Sequence, residues 1–266
     1  MIDLHSHILP GIDDGARSLE EARELARLAV REGVTAIVAT PHVRADYPTT
    51  PEQMERGVSE LQRDFGRHGI RVEVLRGGEL DIERLSALSE TDLERFTLAG
   101  GGRYLLLEFP YFGWPLALDA AVATLVGFGL TPVLAHPERN ATVQERPSRL
   151  GGLVAAGALV QVTAGSLAGA FGRSSRHAAR SLVASGLVHV LASDAHAPDA
   201  RDAGLAAGVE ALEDAGLAAY LTEETPAAIV AGEEVGRTPR RRRFRFSPRW
   251  EAGFARATTI IRRGSE

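Results

Sequence analysis

The sequence predicts an α/β fold, a seven-stranded β/α barrel in a single domain. Short apolar runs alternate with longer amphipathic segments as far as about residue 236, and seven of those runs read as strands. Alternation of this kind implies parallel strands joined by right-handed crossovers, which either an open doubly wound sheet or a closed barrel satisfies. The polar residues decide between them. They gather just past the strand ends, and the carboxyl ends of the strands form the working face of a barrel.

The elements follow in chain order. Ile2–Leu4 is the first strand. Residues 18–32 form a helix, with Leu19, Ala22, Ala26 and Ala29 on one stripe and Ser18 and Glu21 giving a capping-box signature. Thr35–Ala39 is the second strand, and Thr50 with Pro51 supplies the N-cap and first-turn proline of the next helix. Val72–Leu75 is the third strand. Gly100, Gly101 and Gly102 make a turn into the fourth, Tyr104–Leu107. Helices are expected at about 117–128, 147–156, 175–185 and 203–214. Strands Pro132–Ala135, Leu159–Val162 and Val188–Ala192 are interleaved with them.

Composition narrows the chemistry. The 266 residues carry a formal charge of −5, with 24% charged and 44% apolar residues, an ordinary balance for a globular protein. There is no cysteine and no lysine. Thiolate metal sites, cysteine nucleophiles, Schiff bases and a P-loop lysine are all excluded. The most apolar stretch, Ala120–Ala135, is broken by Gly127, Gly129 and Pro132, so no membrane span is expected. The start Met-Ile-Asp-Leu-His-Ser-His lacks the basic and apolar regions of a signal peptide, and the expected compartment is the cytoplasm. Residues 1–236 form the predicted barrel domain and 237–266 a basic tail. That tail holds ten arginines against Glu251 and Glu266, a net +8 that leaves −13 on the rest. Its Arg240–Arg243 run with Phe244, Arg245 and Phe246 suits contact with an anionic partner, or with the acidic body itself.

The strand ends carry the specific signal. His5 and His7 follow the first strand as His-x-His, and the period of a strand points both the same way. Asp14 lies in the first loop, His42 follows the second strand, Glu79 the third, Glu108 the fourth and His136 the fifth. Asp194 and His196 follow the seventh. One histidine after a strand ordinarily caps or packs, but nine such groups converging on one face are costly unless they coordinate metal. Nitrogen and oxygen ligands without sulfur suit Zn, Mn or Fe. Nine are too many for one ion of about six ligands, which implies two or three divalent metal ions. The glycines after the sixth strand, Gly165, Gly169 and Gly172, do not match a dinucleotide fingerprint.

Together, Asp3–His7, Ile12–Gly15, Ala39–His42, Leu107–Pro110, Ala135–Arg139 and Ala192–His196 closely resemble the polymerase-and-histidinol-phosphatase (PHP) superfamily. Gln161–Leu167 and Phe171–Arg173 resemble, within it, the bacterial capsule-associated metal-dependent protein-tyrosine phosphatases. The resemblance spans about residues 1–235, and the tail lies beyond it. It implies a distorted seven-stranded barrel with a trinuclear site, with manganese the expected metal and iron or zinc the alternatives. His5, His7, Glu79 and Asp194 would hold one ion. Glu79, Glu108 and His136 would hold the second, and Asp14, His42 and His196 the third. Arg139 and Arg201 stand where the family places phosphate-binding arginines.

The implied activity is phosphotyrosine hydrolysis by a metal-activated hydroxide, with no cysteine nucleophile. The implied partner is a phosphotyrosine protein, a tyrosine kinase controlling surface polysaccharide export, and the implied assembly a homo-oligomer with helix 18–32 as one candidate interface. A phenolate leaves readily, its conjugate acid having a pKa of about 10, so no strong general acid is required. The alternative within the fold is a small-molecule phosphoesterase of histidinol-phosphate phosphatase type. An amidohydrolase-like barrel also begins with His-x-His, but its usual carboxylated lysine bridge is unavailable to a chain without lysine. A non-enzymatic module acting through the tail is the reading from another class.

Overall fold

A computed structural model describes residues 1–198 and 204–236; Arg201 and the basic tail lie outside the described residues. Strand β1 (Ile2–Ser6) leads through the first loop to α1 (Leu19–Arg31), capped by the Ser18 side chain accepting from the Glu21 N–H. Then come β2 (Ala36–Ala39), β3 (His42–Val43) and α2 (Pro51–Arg67), where Thr50 and Gln53 complete a reciprocal capping box. β4 (Glu73–Arg76), β5 (Glu79–Asp81), α3 (Glu90–Arg95) and β6 (Tyr104–Glu108) follow. After them run α4 (Leu118–Gly127), β7 (Thr131–Leu134), α5 (Ala141–Glu145), α6 (Leu150–Ala155) and β8 (Leu159–Thr163). α7 (Ala164–Ala168), α8 (Gly172–Ala184), β9 (Val190–Ala192), α9 (Ala206–Leu212), α10 (Ala215–Ala219) and α11 (Thr225–Val230) complete the fold.

All the ladders are parallel, as the alternation predicts, and the sheet curls. Their hydrogen bonding divides them into two sheets. Six strands pair in the order β3-β5-β6-β7-β8-β9, and three pair as β1-β2-β4. The second and third predicted strands are each interrupted, at Thr40–Pro41 and at Gly77–Gly78, and resume as β3 and β5 on the other sheet. Proline removes a ladder donor at the first break. At the second, a Cβ on Gly77 would lie 2.8 Å from Val38 and one on Gly78 2.6 Å from Phe96, so only glycine passes between them. The sheets also meet at the far edge, where Ser6 bridges Ala195 and the Asp194 N–H donates to the His5 carbonyl over 2.8 Å.

The predicted helix at 147–156 is a 3-10 turn over Pro147–Arg149 followed by α6, and that at 175–185 begins earlier as α8. The helix expected at 203–214 is the shorter α9, ended by Glu213 in the left-handed region. A large apolar core lies between helices and sheets. A second, inner cluster joins Leu4, Val38, Leu106, Val133, Val190 and Ile229. Along β6, Tyr104 and Leu106 belong to that inner cluster, and the two-residue period carries Glu108 to the same side. Inward apolar residues thus fill the strand interior, and the next inward positions are free for chemistry.

Candidate metal centre

The structure brings all nine predicted ligand residues together. Donor atoms of His7, Asp14, His42 and His196 lie within 4.8 Å of one another. So do those of His5, Glu79 and His136, of His5, His7 and Asp194, and of His42, Glu79 and Glu108. Most of these residues are buried; the Asp14 side chain is 42% exposed and that of His196 26%, which opens one flank to solvent. A register shift between Asp3 and Ser6 re-aims the end of β1, where His5 and His7 stand. The loop carrying Asp13 and Asp14 folds back onto His7 because Gly15 has no side chain. A Cβ there would lie 2.1 Å from the His7 carbonyl oxygen, which instead accepts from Ala16 N–H over 3.0 Å.

Two residues that carry no assigned role in the sequence fix the histidine tautomers. Gln161, on β8, accepts at Oε1 from the backbone N–H of His136 over 3.2 Å, which orients its amide. His5 Nδ1, 3.1 Å from the same oxygen, must then donate. His7 Nδ1 donates to Asp13 Oδ2 over 2.8 Å, and that carboxylate also accepts from the His42 and Gly15 N–H groups. Both rings therefore commit Nδ1 as a donor and aim Nε2 into the cluster, where the two Nε2 atoms face each other at 3.1 Å. His196 Nδ1 donates to the Asp194 carbonyl and aims its Nε2 at Asp14, 3.5 Å away. Second partners of this kind are the usual means of orienting metal-binding imidazoles.

The electrostatics call for positive charge. Burial opposes charge on His5, yet Glu79 and Asp194 outweigh it and raise its pKa to about 9. His7 is likewise raised against burial by Asp13, Asp194 and Glu79. Burial also opposes charge on Glu79, but His5, His136 and His42 hold it well below the usual carboxylate range. Glu108 is pushed up by burial and by the like charge of Glu79. Asp194 Oδ1 is buried without a well-formed hydrogen bond, and Glu79 Oε2 and His42 Nδ1, also buried, meet each other at 2.9 Å in poor hydrogen-bond geometry. Imidazole Nε2 atoms and buried carboxylate oxygens crowded on one another are the environment that divalent cations satisfy in place of protons, and the donor set fits nitrogen- and oxygen-binding metals.

Arg139 enters beside the cluster. Its guanidinium lies 2.7 Å from Asp194 Oδ2, donates to Thr163 Oγ1 over 3.3 Å and stacks on the Phe171 ring at 3.9 Å. The Tyr111 ring lies 5.7 Å from that of His136 on the same rim. Burial pushes the Tyr111 hydroxyl up to about 12, with Arg139 opposing. Across the cluster stands Arg44, a residue with no sequence signal beyond its loop position. Its terminal nitrogens lie 3.7 Å from Glu108 and 3.8 Å from Asp14, and Asp46 and the Tyr47 ring support it. His136 (φ 32°) and Asp194 (φ 55°) both hold left-handed backbone conformations. Each such non-glycine residue costs about 1–3 kcal/mol, and such strain concentrates at functional sites.

Comparison with known proteins agrees with this picture. The family model for capsular polysaccharide synthesis, CpsB/CapC, matches residues 1–224. The chain is 40% identical over 199 residues to the tyrosine-protein phosphatase YwqE of Bacillus subtilis (strain 168), covering 74% of this chain and 77% of that protein. It is 30% identical over 206 residues to the tyrosine-protein phosphatase CpsB of Streptococcus pneumoniae, covering 76% and 85%. Among solved structures, one from a study of YwqE from B. subtilis and CpsB from S. pneumoniae, presented as unique metal-dependent tyrosine phosphatases, superposes with a TM-score of 0.81. Its identity is 34%, over 92% of this chain and 100% of that one.

Proposed function

Because the chain belongs to the CpsB/CapC family of capsular polysaccharide synthesis, we propose that it is a metal-dependent protein-tyrosine phosphatase. The observation that carries this reading is the convergence of five histidines and four carboxylates on one face, in groups whose donor atoms lie within 4.8 Å, in a chain without cysteine. His5, His7, Glu79 and Asp194 would hold one ion, Glu79, Glu108 and His136 a second, and Asp14, His42 and His196 a third. His42 also faces Glu79 at 2.9 Å, which supports a single connected cluster of the three groups. We read the two sheets as one distorted seven-stranded barrel, counting β2 with β3 and β4 with β5.

Such ions, manganese by preference, would supply an activated water and neutralise charge on the phosphoryl oxygens. The chain's own residues do the rest. Arg139, held flat by Phe171 and Asp194, presents planar donors to the phosphoryl group, and Arg44 faces it from the opposite rim. Arg201, outside the described residues, is the third candidate of this kind. The substrate is read as a tyrosine kinase that controls surface polysaccharide export, acted on in the cytoplasm by a homo-oligomer. The relatives' activity supports the phosphotyrosine part of that reading. No helix among the described residues is long and apolar enough to cross a membrane. The basic tail at 237–266, outside the described residues, is read as a contact for the acidic body of the chain itself, with an anionic partner as the alternative.

The test is hydrolysis of phosphotyrosine and phosphoserine peptides and of histidinol phosphate, with and without Mn²⁺, alongside His136→Ala. Metal-dependent turnover selective for phosphotyrosine and lost in the variant is expected. Preference for histidinol phosphate would move the protein to the small-molecule phosphoesterases. No metal-dependent turnover of any of them would sink the reading.

A further inference from the structure

The loop between β6 and α4, residues 109–117, leaves the metal centre at Glu108 and displays apolar side chains to solvent. Phe112 is 83% exposed, Leu116 99% and Tyr111 42%. These are three of the eight large hydrophobic residues so exposed among the described residues, and a fourth, Phe171, stacks on Arg139 at the same rim.

The exposure is built in. Asn140 Nδ2 donates to the carbonyls of both Pro110 and Gly113, each over 2.7 Å, and the Ala141 N–H donates to the Tyr111 carbonyl over 2.8 Å. Phe109 is buried and meets Trp114 edge-on at 6.2 Å, and the Arg149 guanidinium covers the other ring at 4.4 Å. The loop is therefore strapped to the His136–Ala141 segment and anchored by two aromatic residues. Its Phe112 is held outward on a fixed support, and fixed apolar residues on a surface mark interaction sites.

We propose that Phe112 and Leu116 dock the polypeptide that flanks the phosphotyrosine, favouring a substrate with an apolar side chain close to that tyrosine. The argument is one of continuity. Tyr111 lies against His136 at the edge of the centre, and Phe112 is its neighbour on the same strapped loop. A phosphotyrosine reaching the cluster brings its flanking residues with it, at about 3.3 Å of extended chain each, so a residue two or three positions away arrives over this loop. A free phosphorylated metabolite has no flanking chain to cover it. The inference rests on the phosphotyrosine reading above and adds what distinguishes one phosphotyrosine from another.

The experiment uses the full-length, metal-loaded protein and the double variant Phe112→Ser with Leu116→Ser. Substrates are p-nitrophenyl phosphate, a phosphotyrosine peptide with leucine on either side, and the same peptide with serine there. Binding of the matching non-hydrolysable phosphonate peptides is measured in parallel. The wild type is expected to favour the leucine peptide by about tenfold in KM and in phosphonate affinity, the worth of roughly one buried apolar side chain. The variant loses that preference while its turnover of p-nitrophenyl phosphate is unchanged. Equal KM and affinity for both peptides in the wild type, or an unaltered preference in the variant, would overturn the proposal. So would a change of oligomeric state in the variant, which would assign the loop to a second copy of the chain. Hydrolysis of p-nitrophenyl phosphate with none of either peptide would instead remove the phosphotyrosine reading beneath it.

Discussion

At the scale of single residues, eight of the nine candidate ligands were legible because they stand at strand ends, where the sequence leaves a polar group that an apolar pattern does not explain, and Asp14 was legible in the first loop. Gln161 and Asp13 were not legible in their roles, since a side chain that only orients another ligand has no spacing rule of its own. Gln161 could have been found. It lies two residues beyond Leu159 of the inner cluster, on the same side of β8. Gln161→Leu keeps the shape and removes the acceptor that His5 and His136 share. Metal affinity is expected to fall about 10- to 100-fold with the far-ultraviolet circular dichroism unchanged, read by titrating Mn²⁺ into metal-free protein. Arg139→Lys keeps the charge but not the flat fork stacked on Phe171. A fall of about 10²-fold in kcat/KM for phosphotyrosine peptides is expected, and steady-state kinetics will show it.

Among the elements, the parallel strands were legible as unalternating apolar runs because they are covered on both sides. The breaks before His42 and Glu79 were not, since Pro41 and the Gly77–Gly78 pair read equally well as strand ends. The short α5, α7, α10 and α11 are too brief for periodicity to register. His189, left without a role by the sequence, pins β8 to β9: its Nδ1 accepts from the Val160 N–H over 3.1 Å, and the His189 N–H donates to the Val160 carbonyl over 2.9 Å. Burial lowers its pKa to about 4, against about 6.5 in the unfolded chain. Between those values the unfolded state binds the proton and the folded state does not. Stability from this residue is therefore present above about pH 6.5 and lost as pH falls toward 4, to the extent of ~3 kcal/mol. His189→Asn retains an acceptor and removes the titration. Denaturant melts of the two proteins at pH 7 and pH 4.5 should show a smaller decline in the variant.

For the molecule as a whole, the sequence conveyed parallel α/β architecture and one chemical face, but not the division of the ladder into two sheets. That division depends on which edges hydrogen-bond after folding, and residues such as Ser6 and Ala195 carry no mark of their pairing. The two sheets converge on ligands contributed by both. His5 and His7 come from the three-stranded sheet, and Glu79 and Glu108 from the six-stranded one. Ions seated between them, as proposed, would tie the sheets together, so metal removal should loosen the whole domain. Metal at a hundred times its dissociation constant contributes about 2.7 kcal/mol, and its chelation is expected to lower Tm by roughly 5–10 °C. Differential scanning calorimetry with and without EDTA measures this, and an unchanged Tm would count against a shared site.

The left-handed backbone at His136 and Asp194 bears on how such a protein evolves. Replacement by glycine relaxes the backbone at both positions, but at Asp194 it also strips the buried Arg139 guanidinium of its partner 2.7 Å away, so the net gain falls at His136. A variant library screened without metal for heat resistance alone should therefore enrich glycine at His136 and spare Asp194, and sequencing the survivors would show it. The sturdiest descendants would be catalytically dead, and only selection for turnover would keep the ancestral histidine in place.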